Sequence, residues 1–211
     1  MVEERILQRE KGGCDVQKII ILVQKSEDND GHRVSLLARE LAWEALEELT
    51  GTAKELLKAQ GICLEKEQSG RPVWKGIGAE VSISHTGPFA AAAVSFLRIG
   101  IDLEPLGREH LRVAKRMFST KEQLWMDQQR TAGVQDAFAQ LWTLRECYAK
   151  WTGLGLAKMP PVEFLPSEGT VVCSDTACQA GSIRLPKWEL MLSYVADAGQ
   201  KIEVQIGKAK K

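Results

Sequence analysis

The chain has 211 residues, of which 44% are hydrophobic and 27% are charged, as is usual for a globular protein. The chain has 28 basic residues (lysine and arginine) and 28 acidic residues (aspartate and glutamate). This balance excludes a strong overall positive electrostatic field for binding nucleic acid or an anionic membrane. No apolar run approaches the length of a membrane span, and the first residues lack the apolar core of a signal peptide. We therefore expect a cytoplasmic protein whose partners are neither nucleic acid nor membrane.

Five cysteines are scattered along the chain, namely Cys14, Cys63, Cys147, Cys173 and Cys178. Only the last two are close in sequence, and no histidine or further cysteine completes a zinc-like spacing around them. Reduced thiols in a cytoplasmic protein are the simplest interpretation, and no chemistry is assigned to them.

The first third of the chain predicts a strand and two helices. Residues 1–17 are polar and indicate a loose start, and the β-branched run 18–24 predicts a strand buried on both faces. From about Arg33 the apolar residues recur with the period of a helix, and the helix should end at Gly51. The residues expected on its apolar stripe are Leu36, Leu37, Leu41, Trp43, Ala45, Leu46 and Leu49. A second helix is predicted over 53–60.

The next segment predicts short strands joined by turns. A strand is expected near residues 62–64, a turn over 69–74, and a strand over 81–84 that breaks at His85. Residues 89–96 contain four alanines, which favour a helix by propensity, but the preceding turn and the short length indicate the return arm of a hairpin.

The strand after this hairpin carries two acidic side chains on one face. In residues 98–105, aliphatic residues alternate with Gly100, Asp102 and Glu104, which is typical of a half-buried strand. Two adjacent carboxylates repel each other unless a cation lies between them, and hard oxygen ligands suit Mg²⁺. The alternative is a solvated acidic strand end before Pro105.

Residues 105–107 predict a boundary between two halves, 1–105 and 106–211. Helices are expected over 109–118, from a Ser-x-x-Glu capping box at Ser119, and over 136–151. Strands are then expected over 162–165, 171–173, 188–195 and 201–206, before a lysine-rich tail.

The helix predicted over 136–151 places Glu146 and Lys150 on one face, because residues four apart are neighbours on a helix. Taken alone, this is an ordinary surface ion pair, and Trp142 and Trp151 are core residues. His85 taken alone is a structural histidine.

Four stretches in this order are more informative together, namely Gly70-Arg71-Pro72, Ile83-Ser84-His85-Thr86, Gly100-Ile101-Asp102-Leu103-Glu104 and Trp142-Thr143-Leu144-Arg145-Glu146-Cys147-Tyr148-Ala149-Lys150. The set resembles the 4′-phosphopantetheinyl transferases, specifically the monomeric Sfp type. The resemblance runs from about residue 33 to residue 155. Arg71, Thr86 and Arg145 depart from the family motifs, which have Lys, Ser and Lys there, but each keeps the charge or the hydroxyl.

The resemblance implies roles for particular residues. Asp102, Glu104 and Glu146 look like ligands of Mg²⁺. Lys150 looks like the cation on the transferred phosphate, and Ser84 and His85 look like contacts to the phosphates of coenzyme A. Gly70 and Arg71 resemble the turn at the adenine end. Ser35 is a weaker match near the 3′-phosphate, for which Lys18, Lys25 and Arg33 are further candidates.

The resemblance also implies a fold and a reaction. The fold is α+β, with two similar halves related by a pseudo-twofold axis and the active site in the cleft between them. A serine of an acyl or peptidyl carrier protein attacks the β-phosphate of coenzyme A, and 3′,5′-ADP leaves. Glu146, directly or through a water on the metal, is the expected base, because phosphoryl transfer depends mainly on positioning and charge.

Two other functions are compatible with the same residues. One is a Mg²⁺-dependent phosphohydrolase of a nucleotide like coenzyme A, which would use water as its nucleophile. The other is a non-catalytic module that binds coenzyme A or a carrier protein, although binding alone does not require all three acids.

Overall fold

A computed structural model of the chain describes residues 16–27, 29–107, 110–131, 136–167 and 170–207. The lysine-rich tail from residue 208, Cys14 and almost all of the loose start predicted over 1–17 lie outside these ranges. Within them, no helix is both long enough and apolar enough to cross a bilayer.

The described residues form five helices and eleven strands. The helices are α1 (Gly31–Thr50), α2 (Lys54–Ala59), α3 (Leu111–Met117), α4 (Thr120–Thr131) and α5 (Ala137–Thr152). The strands are β1 (Gln17–Lys25), β2 (Cys63–Lys66), β3 (Pro72–Lys75), β4 (Glu80–Thr86), β5 (Phe89–Ser95), β6 (Ile99–Pro105), β7 (Phe164–Ser167), β8 (Thr170–Cys173), β9 (Cys178–Leu185), β10 (Leu190–Asp197) and β11 (Ile202–Gly207). The predicted α+β class is confirmed.

The strands form two main sheets and one small sheet of two strands. The first sheet has the order β11-β1-β5-β4, the second has the order β6-β10-β9-β8-β7, and β2 pairs with β3. β6 precedes the boundary predicted near residue 105, yet it joins the second sheet by pairing with β10. β11 follows that boundary, yet it pairs in parallel with β1 in the first sheet. Each main sheet therefore contains a strand from the other half of the chain.

Both faces of β1 are buried, as its β-branched run predicted. Ile20 and Leu22 pack with α1, whereas Ile19, Ile21 and Val23 pack with β6 and β10. The first sheet thus lies between α1 and the second sheet. The hairpin β4–β5 is also as predicted, because four alanines on β5 leave room for α1 on one face and for β6 on the other.

Several sequence predictions were wrong in detail. The buried stripe of α1 contains Leu41, Trp43, Ala45 and Leu46 as predicted, but Leu36 is 50% exposed and the stripe also includes Val34 and Ala38. Residues 72–74, predicted as part of a turn, belong to β3, because they pair with β2. β9 was missed, since its glycine and polar residues have low β-propensity. It exists because β10 pairs with all eight of its residues.

The predicted capping box at the start of α4 is present and extends into the core. Ser119 N donates to Glu122 Oε2 at 2.7 Å, and Glu122 N donates to Ser119 Oγ at 3.3 Å. The same carboxylate accepts from Phe164 N at 2.9 Å and forms a buried ion pair with Arg145 on α5. Arg145, which the motif comparison aligned with a family lysine, therefore joins α5 to α4 and β7.

We expect Arg145→Met to destabilise the fold strongly, because it keeps most of the side-chain volume but leaves the buried Glu122 carboxylate without its cation. Breaking one side of a buried pair typically costs about 3–5 kcal/mol. Urea unfolding would measure the loss. The control is Lys121→Met, at the residue next to Glu122 in the chain, which removes an exposed ion pair with Glu163. This variant should change the free energy of unfolding little. Equal effects of the two variants would contradict a structural role for the buried pair.

Candidate active site

The candidate site lies where β6 runs between β4 and α5. Ile99, Ile101 and Leu103 point to the core shared with the first sheet, and Gly100 points to α5. Because side chains alternate along a strand, Asp102 and Glu104 share the α5 side with Gly100. The prediction that Asp102 and Glu104 share one face of the strand is correct. The strand was predicted to be half-buried, but it is buried on both faces as far as Leu103, because α5 covers the face with the acidic residues.

Gly100 allows α5 to approach β6 closely. A Cβ atom built at this position would lie 2.1 Å from the carbonyl oxygen of Cys147 and 2.8 Å from the backbone nitrogen of Trp151. No side chain fits at such distances from helix backbone, so the glycine is required for this packing. The close approach brings Glu146 and Lys150 next to the strand that carries Asp102.

Asp102 is only 6% exposed and receives hydrogen bonds from two other elements. Ser84 Oγ on β4 donates to Asp102 Oδ1 at 2.7 Å, and Lys150 Nζ on α5 donates to the same oxygen at 2.8 Å. Lys150 Nζ also donates to the carbonyl of Ile101 at 2.9 Å. Asp102 is therefore a buried carboxylate, and the alternative of a solvated strand end does not hold for it.

Glu146 is half-buried, and its pKa is raised above the ordinary value for a glutamate. Burial is the largest cause, and the negative charge of Asp102 is the next. Lys150 opposes the shift, while Glu104 adds to it. Three carboxylates from β6 and α5 thus act on one another electrostatically, with one ammonium group among them.

These residues fit a divalent cation of the hard type. The Oδ2 atom of Asp102 is buried and finds no hydrogen-bond partner among the described residues, so it is available as a ligand. Carboxylate oxygens are the ligands that Mg²⁺ prefers. Among the described ranges, no group of three or more aspartate, glutamate, histidine or cysteine side chains is already arranged around a single ion position. Lys150 is the cation that contacts Asp102 in this arrangement.

The residues predicted to contact coenzyme A differ in their surroundings. The hydroxyl of Ser84 is bonded to Asp102, so this side chain orients the carboxylate. His85 lies within β4, opposite Ala90, rather than after the strand as predicted, and its side chain is exposed. Alternation along β4 sends it to the opposite face of the strand from Ser84.

The predicted adenine-end turn connects β2 to β3. Gly70 has a φ of +85°, which favours glycine at this turn position. Arg71 forms an ion pair with Glu80 at 2.7 Å and reaches the C-terminal end of α5. A Cβ built on Gly153 would lie 3.4 Å from Arg71 Nη1 and 3.4 Å from Arg98 Nη2. Two guanidinium groups therefore lie near Gly153 at the end of α5.

Ser35 lies half-buried in α1, which packs on the first sheet. None of the hydrogen bonds between described residues links its side chain to Asp102 or Ser84. The structure therefore gives no local contact that ties Ser35 to the acidic residues.

A cavity of about 270 Å³ opens beside Glu104. Its lining is formed by Glu104, Pro105, His110, Val113, Phe138, Ala139 and Trp142. The sequence reasoning missed His110, because an isolated histidine before a short helix carries no motif. Trp142, interpreted as a core residue, is only partly buried and lines this cavity, where it stacks on Phe138.

Comparison with known proteins places similar chains in one family of transferases. Residues 98–198 match the family model described as the 4′-phosphopantetheinyl transferase superfamily. The chain is 27% identical over 97 residues to the 4′-phosphopantetheinyl transferase gsp of Aneurinibacillus migulanus, covering 46% of this chain and 40% of the relative. It is 31% identical over 102 residues to the 4′-phosphopantetheinyl transferase psf-1 of Bacillus pumilus, covering 48% and 44% respectively.

A longer alignment reaches the 4′-phosphopantetheinyl transferase Sfp of Bacillus subtilis strain 168, with 30% identity over 155 residues, 70% of this chain and 64% of the relative. The resemblance predicted from the four motifs is thus confirmed. The alignments nevertheless span less than half the length of gsp and psf-1.

The raised pKa of Glu146 predicts a pH-dependent stability in the absence of divalent ions. The folded protein retains this proton to a higher pH than the unfolded chain does. The stabilisation is therefore complete below the ordinary glutamate pKa of 4.5 and is lost as the pH rises through the raised value. Glu146→Gln should remove this loss, so that at neutral pH the variant is at least as stable as the unmodified protein. Urea unfolding at several pH values with a chelator would measure it.

Glu48→Gln, which changes an exposed carboxylate of α1, is the matched control and should follow the unmodified protein at each pH. Added Mg²⁺ should raise the melting temperature of the unmodified protein more than that of Glu146→Gln, because a ligand of the folded state stabilises it. A Glu146→Gln protein that is less stable at neutral pH would contradict the proposed repulsion among the acids.

Proposed function

We propose that this protein transfers the 4′-phosphopantetheine moiety of coenzyme A to a serine of an apo acyl or peptidyl carrier protein, with release of 3′,5′-ADP. The observation that carries the proposal is the meeting of Asp102, Glu146 and Lys150 within the span that matches the superfamily model. A non-catalytic binding module does not need a buried carboxylate and a glutamate of raised pKa beside an ammonium group.

Asp102, Glu104 and Glu146 are the residues that would hold Mg²⁺. The Oδ2 atom of Asp102 has no hydrogen-bond partner among the described residues, and the pKa of Glu146 is raised by burial and then by the charge of Asp102. Both observations favour a divalent cation at this position. When bound, Mg²⁺ would offset the negative charge of the pyrophosphate in coenzyme A. Ser84 would keep Asp102 in place by its hydrogen bond to Oδ1.

Lys150 supplies positive charge beside these acids. Its contacts with Asp102 Oδ1 and the carbonyl of Ile101 fix the ammonium group next to β6. There it can stabilise charge that develops on the transferred phosphate, and stabilisation of developing charge is the main contribution of a protein to phosphoryl transfer.

Glu146 is the proposed acceptor of the serine proton. A general base is most effective when its pKa lies near the operating pH, and the environment of Glu146 moves its pKa in that direction. The cavity beside Glu104 offers space for substrate atoms next to that one of the three acids.

The remaining proposed contacts are with coenzyme A. Ser84 and the exposed His85 on β4 would contact its phosphates, and Gly70 and Arg71 would contact the adenine end. Ser35 is proposed near the 3′-phosphate. Because the proposed metal ligands and cations come from one chain, the proposal is for an enzyme that acts as a monomer.

The reaction can be tested by incubating the protein with coenzyme A, Mg²⁺ and apo-carriers of the fatty-acid, polyketide and peptidyl classes. Intact-protein mass spectrometry should show addition of phosphopantetheine to a carrier serine. Asp102→Ala, Glu104→Ala and Glu146→Ala should each reduce turnover by about 100-fold or more. Glu48→Ala should leave turnover unchanged.

Incubation with coenzyme A alone distinguishes a phosphohydrolase, which would release 3′,5′-ADP without a carrier. Release of that product at the same rate with and without a carrier would reject the transferase proposal. A full carrier panel that remains unmodified would do the same.

His85 and Lys150 should affect different kinetic constants. His85 lies on the exposed side of β4, so we expect it to hold phosphate charge equally in the ground and transition states, and His85→Ala should chiefly raise the KM for coenzyme A. Lys150 lies beside Glu146, so Lys150→Ala should chiefly lower kcat. Steady-state kinetics at saturating carrier would measure both effects. The reverse pattern would show that the two residues serve opposite ends of the pyrophosphate from those proposed.

A further inference from the structure

Two thiols meet at the turn between β8 and β9, remote in sequence from the residues assigned above. Cys173 is the last residue of β8, and Cys178 is the first residue of β9. Their Sγ atoms are 3.4 Å apart. Cys178 is 6% exposed and Cys173 is half-buried, so Cys173 is the more accessible residue of the pair.

The backbone geometry of this turn suits a covalent bond between the two sulfurs. Val171 of β8 pairs with Ala180 of β9 in antiparallel register. Continuing that register by two residues places Cys173 directly opposite Cys178. Residues directly opposite in antiparallel strands have Cα atoms about 4.5–5.5 Å apart, within the range of about 4.4–6.8 Å that disulfides require. The sulfurs, at 3.4 Å, have to approach by little more than 1 Å to reach the S–S bond length of about 2.05 Å.

The two thiols are also unequal in acidity. The hydrogen bond from the Cys178 thiol lowers the pKa of Cys173, and the same bond raises the pKa of Cys178. The thiolate is the reactive form of cysteine. The more accessible residue of the pair is thus also the one whose pKa is lowered.

We propose that Cys173 and Cys178 form a reversible disulfide when the protein meets a hydroperoxide, which makes the β8–β9 turn a site of oxidative modification. The other described cysteines lack such a partner within the described residues. Cys63 is exposed and lies against Glu65, and Cys147 is buried and donates to the carbonyl of Ser193.

The chemistry balances in two steps with hydrogen peroxide as the oxidant. The Cys173 thiolate attacks one peroxide oxygen, so that an S–O bond forms, the O–O bond breaks and hydroxide leaves. The Cys178 sulfur then attacks the Cys173 sulfur, so that the S–S bond forms and the S–O bond breaks. The departing hydroxide takes the Cys178 proton and leaves as water, while the first hydroxide takes a proton from solvent. Two thiols are oxidised, and one peroxide is reduced to two waters.

The natural tryptic peptides allow a direct test on the full chain. Cleavage after Lys158 and Arg184 yields the peptide 159–184, which contains both Cys173 and Cys178. Cys63 and Cys147 fall in separate peptides, 59–66 and 146–150. The fully reduced protein is treated with a small excess of hydrogen peroxide, labelled with N-ethylmaleimide, digested and analysed by mass spectrometry over time.

Peptide 159–184 is expected to appear without either label and lighter than the reduced, unlabelled peptide by the mass of two hydrogen atoms. This species should form at least about tenfold faster than the unlabelled form of the peptide with Cys63. Dithiothreitol should restore both labels. Cys173→Ala should abolish the product, and the matched control Cys63→Ala should leave its rate unchanged. The measurement on the unmodified chain does not depend on the folding of any variant.

Three outcomes would overturn the proposal. The first is oxidation of Cys173 to sulfinic or sulfonic acid without loss of the Cys178 label. The second is a disulfide between two chains in place of one within peptide 159–184. The third is oxidation of Cys63 at a rate equal to that of the pair.

Discussion

The hydrogen-bonded carboxylate of Asp102 is the interaction on which the candidate site depends. It joins three elements, because Ser84 on β4 and Lys150 on α5 both donate to the oxygen Oδ1 of a side chain on β6. A buried carboxylate is costly unless it is hydrogen-bonded and paired, so these contacts fix the relative positions of the three elements. The same burial and charge raise the pKa of Glu146 nearby. The packing of these three elements and the proposed chemistry therefore depend on the same charged residues, Asp102, Glu146 and Lys150.

The exchange of strands between the sheets places that group between the two halves of the chain. β6 pairs with β10, and β11 pairs with β1, so neither sheet is completed by residues from one side of residue 105 alone. Ser82 Oγ on β4 accepts from Ile101 N at 2.9 Å, which ties the edge of the first sheet to β6. Asp102 on β6 consequently meets an ammonium group on α5 and a hydroxyl on β4.

The helix α5 has different functions on its different faces. Glu146 and Lys150 lie beside β6, whereas Arg145 points to the buried Glu122 on α4. Tyr148 donates to Asp175 Oδ2 at 2.7 Å in the turn between β8 and β9, next to the thiol pair. Adjacent residues of one helix thus anchor it to α4, to β6 and to the second sheet. This anchoring holds the proposed base and cation in fixed positions, as catalysis by positioning requires.

The resemblance of the motifs to a known family implied the α+β class. The sequence pattern by itself determined the buried strand β1, the alternation that places Asp102 and Glu104 on one side of β6, and the helical spacing of Glu146 and Lys150. These features follow from local periodicity, which the order of residues contains directly. Only the tertiary structure decided that β9 is a strand, because its weak β-propensity is compensated by pairing with β10. It alone decided that Arg145 turns to Glu122, that Ser84 contacts Asp102, and that the thiols of Cys173 and Cys178 meet. Such contacts depend on which surfaces pack together, and packing is set by the whole chain rather than by any local pattern.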